Sequence, residues 1–233
     1  MRKTFANGVH LFTASGAVWG FLTLIAIWEG NYKPAFVYII IAMFVDGFDG
    51  VLARLFDVKT YANRTDGGLM DNIIDYLNYV VVAALLLIKV PNLLPAGFEM
   101  AAAFSILLTS AFQFSQTDAK TDNQSYFFKG FPSVWNFLVL YMMFLGLNPW
   151  INLVVLVICD ILIFVPIKFL YPSRNTRLRR LTLVLTYLYG ALCIWGLSLY
   201  PDVPQWMVYL SLAYIVYYFV MSIFQSIGAP KTA

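Results

Sequence analysis

Four aspartates, Asp46, Asp49, Asp71 and Asp75, stand in two segments of this chain that are otherwise apolar enough to cross a bilayer. At the centre of a membrane helix an aspartate costs about 2.5–3.5 kcal/mol to insert, so four would oppose insertion by roughly 10–14 kcal/mol unless their charge were compensated. Bound cations supply that compensation. With no cysteine among them and a single histidine in the whole chain, such carboxylates suit hard ions, Mg²⁺ or Mn²⁺ and two of them, rather than zinc or copper. Gly50, Ala53 and Gly67 stand among the acids. A position without a bulky side chain lets a flat or phosphorylated ligand approach the helix backbone, and Arg54 adds a charged fork for phosphate. The set predicts a diphosphate-bearing substrate. The same small residues also suit close packing of membrane helices.

The elements that must position these residues are membrane helices. Of 233 residues, 61% are hydrophobic, 18% aromatic and only 12% charged, which excludes an ordinary soluble domain and gives no basic face for nucleic acid. Apolar stretches of the length that a ~30 Å hydrocarbon layer demands recur along the chain. Eight are expected, at residues 8–28, 34–56, 67–90, 95–116, 131–146, 149–170, 178–200 and 204–226. The connections are short and no linker or repeat divides the chain, so an all-α, polytopic membrane protein is predicted, with residues 1–233 as one integral domain. Arg2 and Lys3 precede the first stretch without a following small-residue cleavage site, which predicts a retained helix rather than a secretory signal.

Basic residues set the orientation. Arg2, Lys3, Arg54, Lys59, Arg64, Lys120, Lys129, Lys168, Arg174, Arg177, Arg179, Arg180 and Lys231 fall on one side, and only Lys33 and Lys89 on the other. Both termini are therefore expected in the cytoplasm. The second and third helices then carry their acids in their cytoplasmic halves. At about 100° per residue, Asp46, Asp49, Gly50, Ala53 and Arg54 fill an arc of about 140° on one helix, and Gly67, Asp71, Asp75 and Asn78 an arc of about 80° on the next. Two polar stripes face each other across a hairpin.

Other polar residues are given structural roles. Asp57 and Asp66 lie near helix ends, where capping or solvation suffices. Asp160, inside the sixth stretch, is expected to pair with a basic residue, and His10 to be a hydrogen-bonded residue at a helix end. Cys159 and Cys193 both fall within spans and are read as packing residues without a disulfide.

The acid-bearing segment resembles the CDP-alcohol phosphotransferase motif, in which Asp, two residues, Asp-Gly, two residues and Ala-Arg are followed by a spacer and then Gly, three residues, Asp, three residues, Asp. Asp46, Asp49, Gly50, Ala53, Arg54, Gly67, Asp71 and Asp75 occupy every fixed position. The spacer, Leu55 to Asp66, is longer than is usual in that family. In this it resembles a bacterial branch that transfers a phosphatidyl group from CDP-diacylglycerol to choline. The likeness extends to VHLFTASG, FQFSQTDAKTDNQSYFFKGFPSVWN and FVPIKFLYPSRNTRLRRLT, and eight spans also agree with that branch.

The resemblance implies that CDP-diacylglycerol binds over Gly50, Ala53, Arg54 and Gly67, with its acyl chains in membrane lipid. It implies that Asp46, Asp49, Asp71 and Asp75 hold Mn²⁺ or Mg²⁺, and that Asp75 is the general base toward the choline hydroxyl. It further implies a bacterial inner membrane location with the site facing the cytoplasm, and a homodimer. A quaternary ammonium calls for aromatic faces, which makes Tyr79, one turn beyond Asp75, and the group Tyr126, Phe127, Phe128 and Trp135 candidates for binding choline. Two alternatives stay open: the same chemistry with serine, inositol phosphate or glycerol 3-phosphate as acceptor, and a divalent-cation transporter. The arginines at 174, 177, 179 and 180 suit either anionic headgroups or topology.

Overall fold

Two long apolar helices open the chain. α1 (Arg2–Trp28) and α2 (Tyr32–Leu55) pack along each other as a hairpin, closed by Gly30 at φ +77°, where a side chain would be strained. The computed structural model describes residues 2–116, 127–165, 167–170 and 179–228. α1 begins six residues before the expected apolar stretch, because nothing in that segment breaks a helix. One short turn, α3 (Val58–Tyr61), follows α2, with Asp57 ahead of it in the left-handed region at φ 47°.

The chain re-enters the bundle as α4 (Gly67–Asp75). Its first turn is capped by Asp66, whose Oδ1 accepts from the Leu69 N–H at 3.0 Å. After Asp75 the ladder changes: residues Tyr76–Val81 form a π-helical turn, and the Val82 N–H bonds to Leu77 O, five residues back. α5 (Val82–Lys89) completes the crossing, and the three pieces form one helix from Gly67 to Lys89. α6 (Glu99–Ser115), β1 (Phe127–Lys129), α7 (Trp135–Leu145), α8 (Pro149–Phe164), β2 (Lys168–Leu170), α9 (Arg179–Ser198) and α10 (Gln205–Gly228) follow.

The architecture is helical, and its helices are less uniform in length than the eight expected stretches. Among the described residues, five helices are long and apolar enough to cross a membrane: α1, α2, the Gly67–Lys89 helix, α9 and α10. α7 has only 11 residues and α8 only 16, or about 16 and 24 Å at 1.5 Å per residue. Both are cut short by backbone that leaves the helix. Residues 131–134 run non-helically into α7, held by Gln113 of α6, which donates to Phe131 O and accepts from the Ser133 hydroxyl. Beyond α8 the chain becomes β2, which pairs antiparallel with β1 in the register Phe127↔Leu170. Gly130, at φ +82°, lies so close to α8 that a Cβ would stand 2.2 Å from Ile163 O. Only glycine fits there.

The core lies between α1, α2, the Gly67–Lys89 helix, α6, α7 and α8, where Ile27, Phe36, Leu86, Ile106, Trp135 and Leu156 are almost wholly buried. Large apolar side chains also cover the outside: Leu11 is 75% exposed and Leu108 72%. An apolar exterior over an apolar core is what a lipid solvent permits.

Asp160 corrects an expectation. It is buried in α8, and its carboxylate accepts from the Ser105 hydroxyl and from Thr109 Oγ1, at 2.7 Å for the latter, both on α6. Hydroxyls, not a basic side chain, are the partners seen among the described residues. His10 is buried within α1 rather than at its end, and its Nε2 lies 3.2 Å from Ala62 O, tying α1 to the loop before α4.

Candidate active site

The acids meet as their helical phase requires. Asp46 and Asp49, three apart on α2, share a face with Asp71 on α4, and one carboxylate oxygen from each lies within 4.8 Å of the others. All three are half-buried. Three negative groups at that spacing repel strongly where water is scarce. Thr13 of α1 stands beside the Asp49 carboxylate, which adds a polar neighbour from a third helix. Asp75, the last residue of α4, is also half-buried. It lies outside the 4.8 Å trio and within electrostatic reach of the Tyr79 phenol, as Asp46 and Asp71 do.

Beside the acids, α2 is bare. A Cβ at Gly47 would meet nothing within 4 Å, and one at Gly50 only the Arg54 guanidinium, at 3.5 Å. Arg54 itself is exposed in the last turn of α2. Gly67 differs. A Cβ there would lie 3.2 Å from the His10 ring, so this glycine makes room for the bond between His10 and Ala62. Ala53 packs against the small apolar group Ala6, Val9, Val58 and Ala62 beneath the site. The open approach therefore lies over Gly47 and Gly50, with Ala53 and Gly67 serving as its tightly packed floor.

The π-helical turn is the part of the site that sequence reasoning missed. Turns of this kind widen the helix and often occur at functional sites. Its polar residues reach three different helices. Tyr76 donates to Leu107 O of α6 at 2.9 Å, Asn78 Nδ2 to Gly16 O of α1 at 3.2 Å, and the Tyr79 hydroxyl to Asp46 Oδ2 of α2 at 2.6 Å. Gly16 and Gly20 on α1 let this happen, since a Cβ at Gly16 would stand 2.8 Å from the Ile74 side chain. Their spacing is the small-residue pattern of close membrane packing, a signal present in the sequence. Nothing in the sequence marks the turn itself.

The aromatic candidates separate. Tyr79 comes to the acids, with its hydroxyl engaged by Asp46. Trp135 does not offer an accessible face: it is fully buried, its indole N–H donates to Ser110 Oγ at 2.8 Å, and its ring stacks edge-on with Phe131 at 5.1 Å. An aromatic at that position serves the core, which the sequence could not separate from a ligand cage. Tyr126 lies outside the described residues, as do Arg174 and Arg177.

The donor set fits a hard divalent cation. Among the described residues it consists of carboxylate oxygens with hydroxyls nearby and no sulfur or imidazole ligand, and a cation there would relieve the mutual repulsion of the trio. Such a centre, next to an open stretch of helix and an exposed arginine, can accommodate a phosphorylated ligand and polarise its oxygens.

Comparison with known proteins agrees with this chemistry. A family model described as CDP-alcohol phosphatidyltransferase matches residues 4–166, which include every acid and glycine of the site. A protein of Legionella pneumophila subsp. pneumophila named phosphatidylcholine synthase is 38% identical, over 94% of this chain and 87% of its own length. Proteins of the same name from Borreliella burgdorferi and Mesorhizobium japonicum are 36% and 40% identical, covering 91% and 81% of this chain and 88% and 70% of their own.

Proposed function

The chain belongs to the CDP-alcohol phosphatidyltransferase family, and we propose that it transfers the phosphatidyl group of CDP-diacylglycerol to choline, giving phosphatidylcholine and CMP. The observation that carries this reading is the carboxylate trio of Asp46, Asp49 and Asp71 next to the bare face at Gly50. The choline acceptor is supported by the phosphatidylcholine synthase name of relatives that match over most of their length.

In this reading Asp46, Asp49 and Asp71, with Asp75 alongside, hold two Mn²⁺ or Mg²⁺ ions. Bound there, the ions would neutralise the diphosphate oxygens and stabilise the departing phosphate. Gly50 admits the nucleotide diphosphate against the α2 backbone, Ala53 and Gly67 shape the floor below it, and Arg54 pairs with a phosphate oxygen. Asp75 takes the hydroxyl proton of choline. The choline oxygen forms a bond to the lipid-side phosphorus as the bond from that phosphorus to the bridging oxygen breaks, and the electron pair leaves with CMP. An offset of Asp75 from the trio favours the base role, because a carboxylate at the edge of the cluster can reach an incoming alcohol.

The membrane arrangement is part of the proposal. The count of thirteen basic residues against two supports cytoplasmic termini and a cytoplasmic site. Eight membrane passages are retained with α6, α7 and α8 as the shorter ones, completed by non-helical backbone buried in protein. The bacterial relatives support an inner membrane location.

Choline carrying ¹⁸O in its hydroxyl tests the chemistry. The label is expected wholly in phosphatidylcholine. Label in CMP, or unlabelled phosphatidylcholine, would contradict attack on the lipid-side phosphorus.

A further inference from the structure

Tyr79 stands at the junction of the two helices that carry the acids. Its hydroxyl donates to Asp46 Oδ2 at 2.6 Å, crossing from the π-helical turn to α2. Asp71 and Asp75 lie within electrostatic reach of the phenol, so the side chain that bonds Asp46 sits in the field of two more motif acids. Its neighbours in the turn are fixed in opposite directions, Tyr76 by Leu107 O and Asn78 by Gly16 O. Those bonds anchor the turn that carries Tyr79, and its ring packs against the buried core. The ring is therefore preorganised, and its hydroxyl sets the rotation of the Asp46 carboxylate and the direction in which the remaining oxygen points. Partners behind a metal ligand act in this way, and their loss typically weakens metal affinity by 10–100-fold.

We infer that Tyr79 is a positioning residue for the metal centre, acting through Asp46, and that this is its contribution rather than recognition of the choline ammonium. The inference rests on the metal-site part of the proposed function and is independent of the acceptor.

The test is Mn²⁺ binding to the purified full-length protein in lipid nanodiscs without substrate, followed by the paramagnetic resonance of free Mn²⁺. Tyr79→Phe removes one oxygen and keeps the ring. It is expected to bind Mn²⁺ about 10–100-fold more weakly, to recover turnover as Mn²⁺ is raised, and to keep the wild-type choline KM at saturating Mn²⁺. Tyr76→Phe loses a hydroxyl from the same turn and is expected to keep wild-type Mn²⁺ affinity. Unchanged Mn²⁺ affinity in Tyr79→Phe would overturn the inference, and a raised choline KM alongside it would return Tyr79 to the ammonium site. Equal weakening in both variants would make the effect a property of the fold and overturn it too, as would loss of folding in Tyr79→Phe. If the wild type itself binds no Mn²⁺, the metal-site reading fails and the inference with it.

Discussion

Gly20 of α1 and Asn78 of the π-helical turn touch so closely that a Cβ on the glycine would lie 2.5 Å from the Asn78 side-chain oxygen. The same asparagine donates to Gly16 O, so it has little freedom to retreat. Gly20→Ala must push the turn away from α1, at a cost of about 1–3 kcal/mol for an overpacked site. Because the turn continues directly from Asp71 and Asp75, activity should fall with stability. Thermal unfolding and CMP release measured on the same preparation check this.

Gly50→Ala should behave in the opposite sense. Space beside Gly50 is open apart from the Arg54 guanidinium, and alanine is favoured over glycine in a helix by about 1 kcal/mol. The variant is expected to be at least as stable as the wild type while its KM for CDP-diacylglycerol rises. A fall in melting temperature without a change in KM would make Gly50 a packing residue.

Asp75→Asn tests the base. Positioned acid–base groups contribute about 10²–10⁴-fold to rate, and the substitution preserves shape. Turnover is expected to drop within that range while the fold and CDP-diacylglycerol binding persist. Loss of Mn²⁺ binding would instead make Asp75 a metal ligand foremost.

Metal should also stabilise the fold, since Asp46 and Asp49 come from α2 and Asp71 from α4. A site that exists only in the native state gains about 2.7 kcal/mol when the ion stands at 100 times its dissociation constant. Mn²⁺ added after chelation is thus expected to raise the melting temperature of the wild type and not that of Asp71→Asn.

Much of this site was legible in the sequence because α-helical phase is simple arithmetic. Spacings of three on α2 and four on α4 placed Asp46, Asp49 and Asp71 on facing stripes, and their low tolerance in lipid demanded a common explanation. What could not be read arises from tertiary contact. The π-helical turn depends on how Tyr76, Asn78 and Tyr79 are drawn toward three neighbours, and no local pattern encodes that. The short α7 and α8 and the strand β2 lie in segments whose apolar composition fits a span equally well. Asp160 has the structural role its place in a helix suggested, but serine and threonine are common in membrane helices, so Ser105 and Thr109 gave no sign of being its partners. Trp135 shows the same ambiguity for aromatics, which build cores and ligand cages from one chemistry.

The most direct test of the account is CMP release from CDP-diacylglycerol by the purified protein with Mn²⁺, comparing choline, serine, inositol phosphate, glycerol 3-phosphate and no acceptor. CMP release that depends on choline, with phosphatidylcholine formed in equal amount, is the predicted result. Release driven by another of these alcohols and not by choline would contradict the acceptor assignment while leaving the metal centre in place, and no release with any of them would contradict phosphatidyl transfer itself.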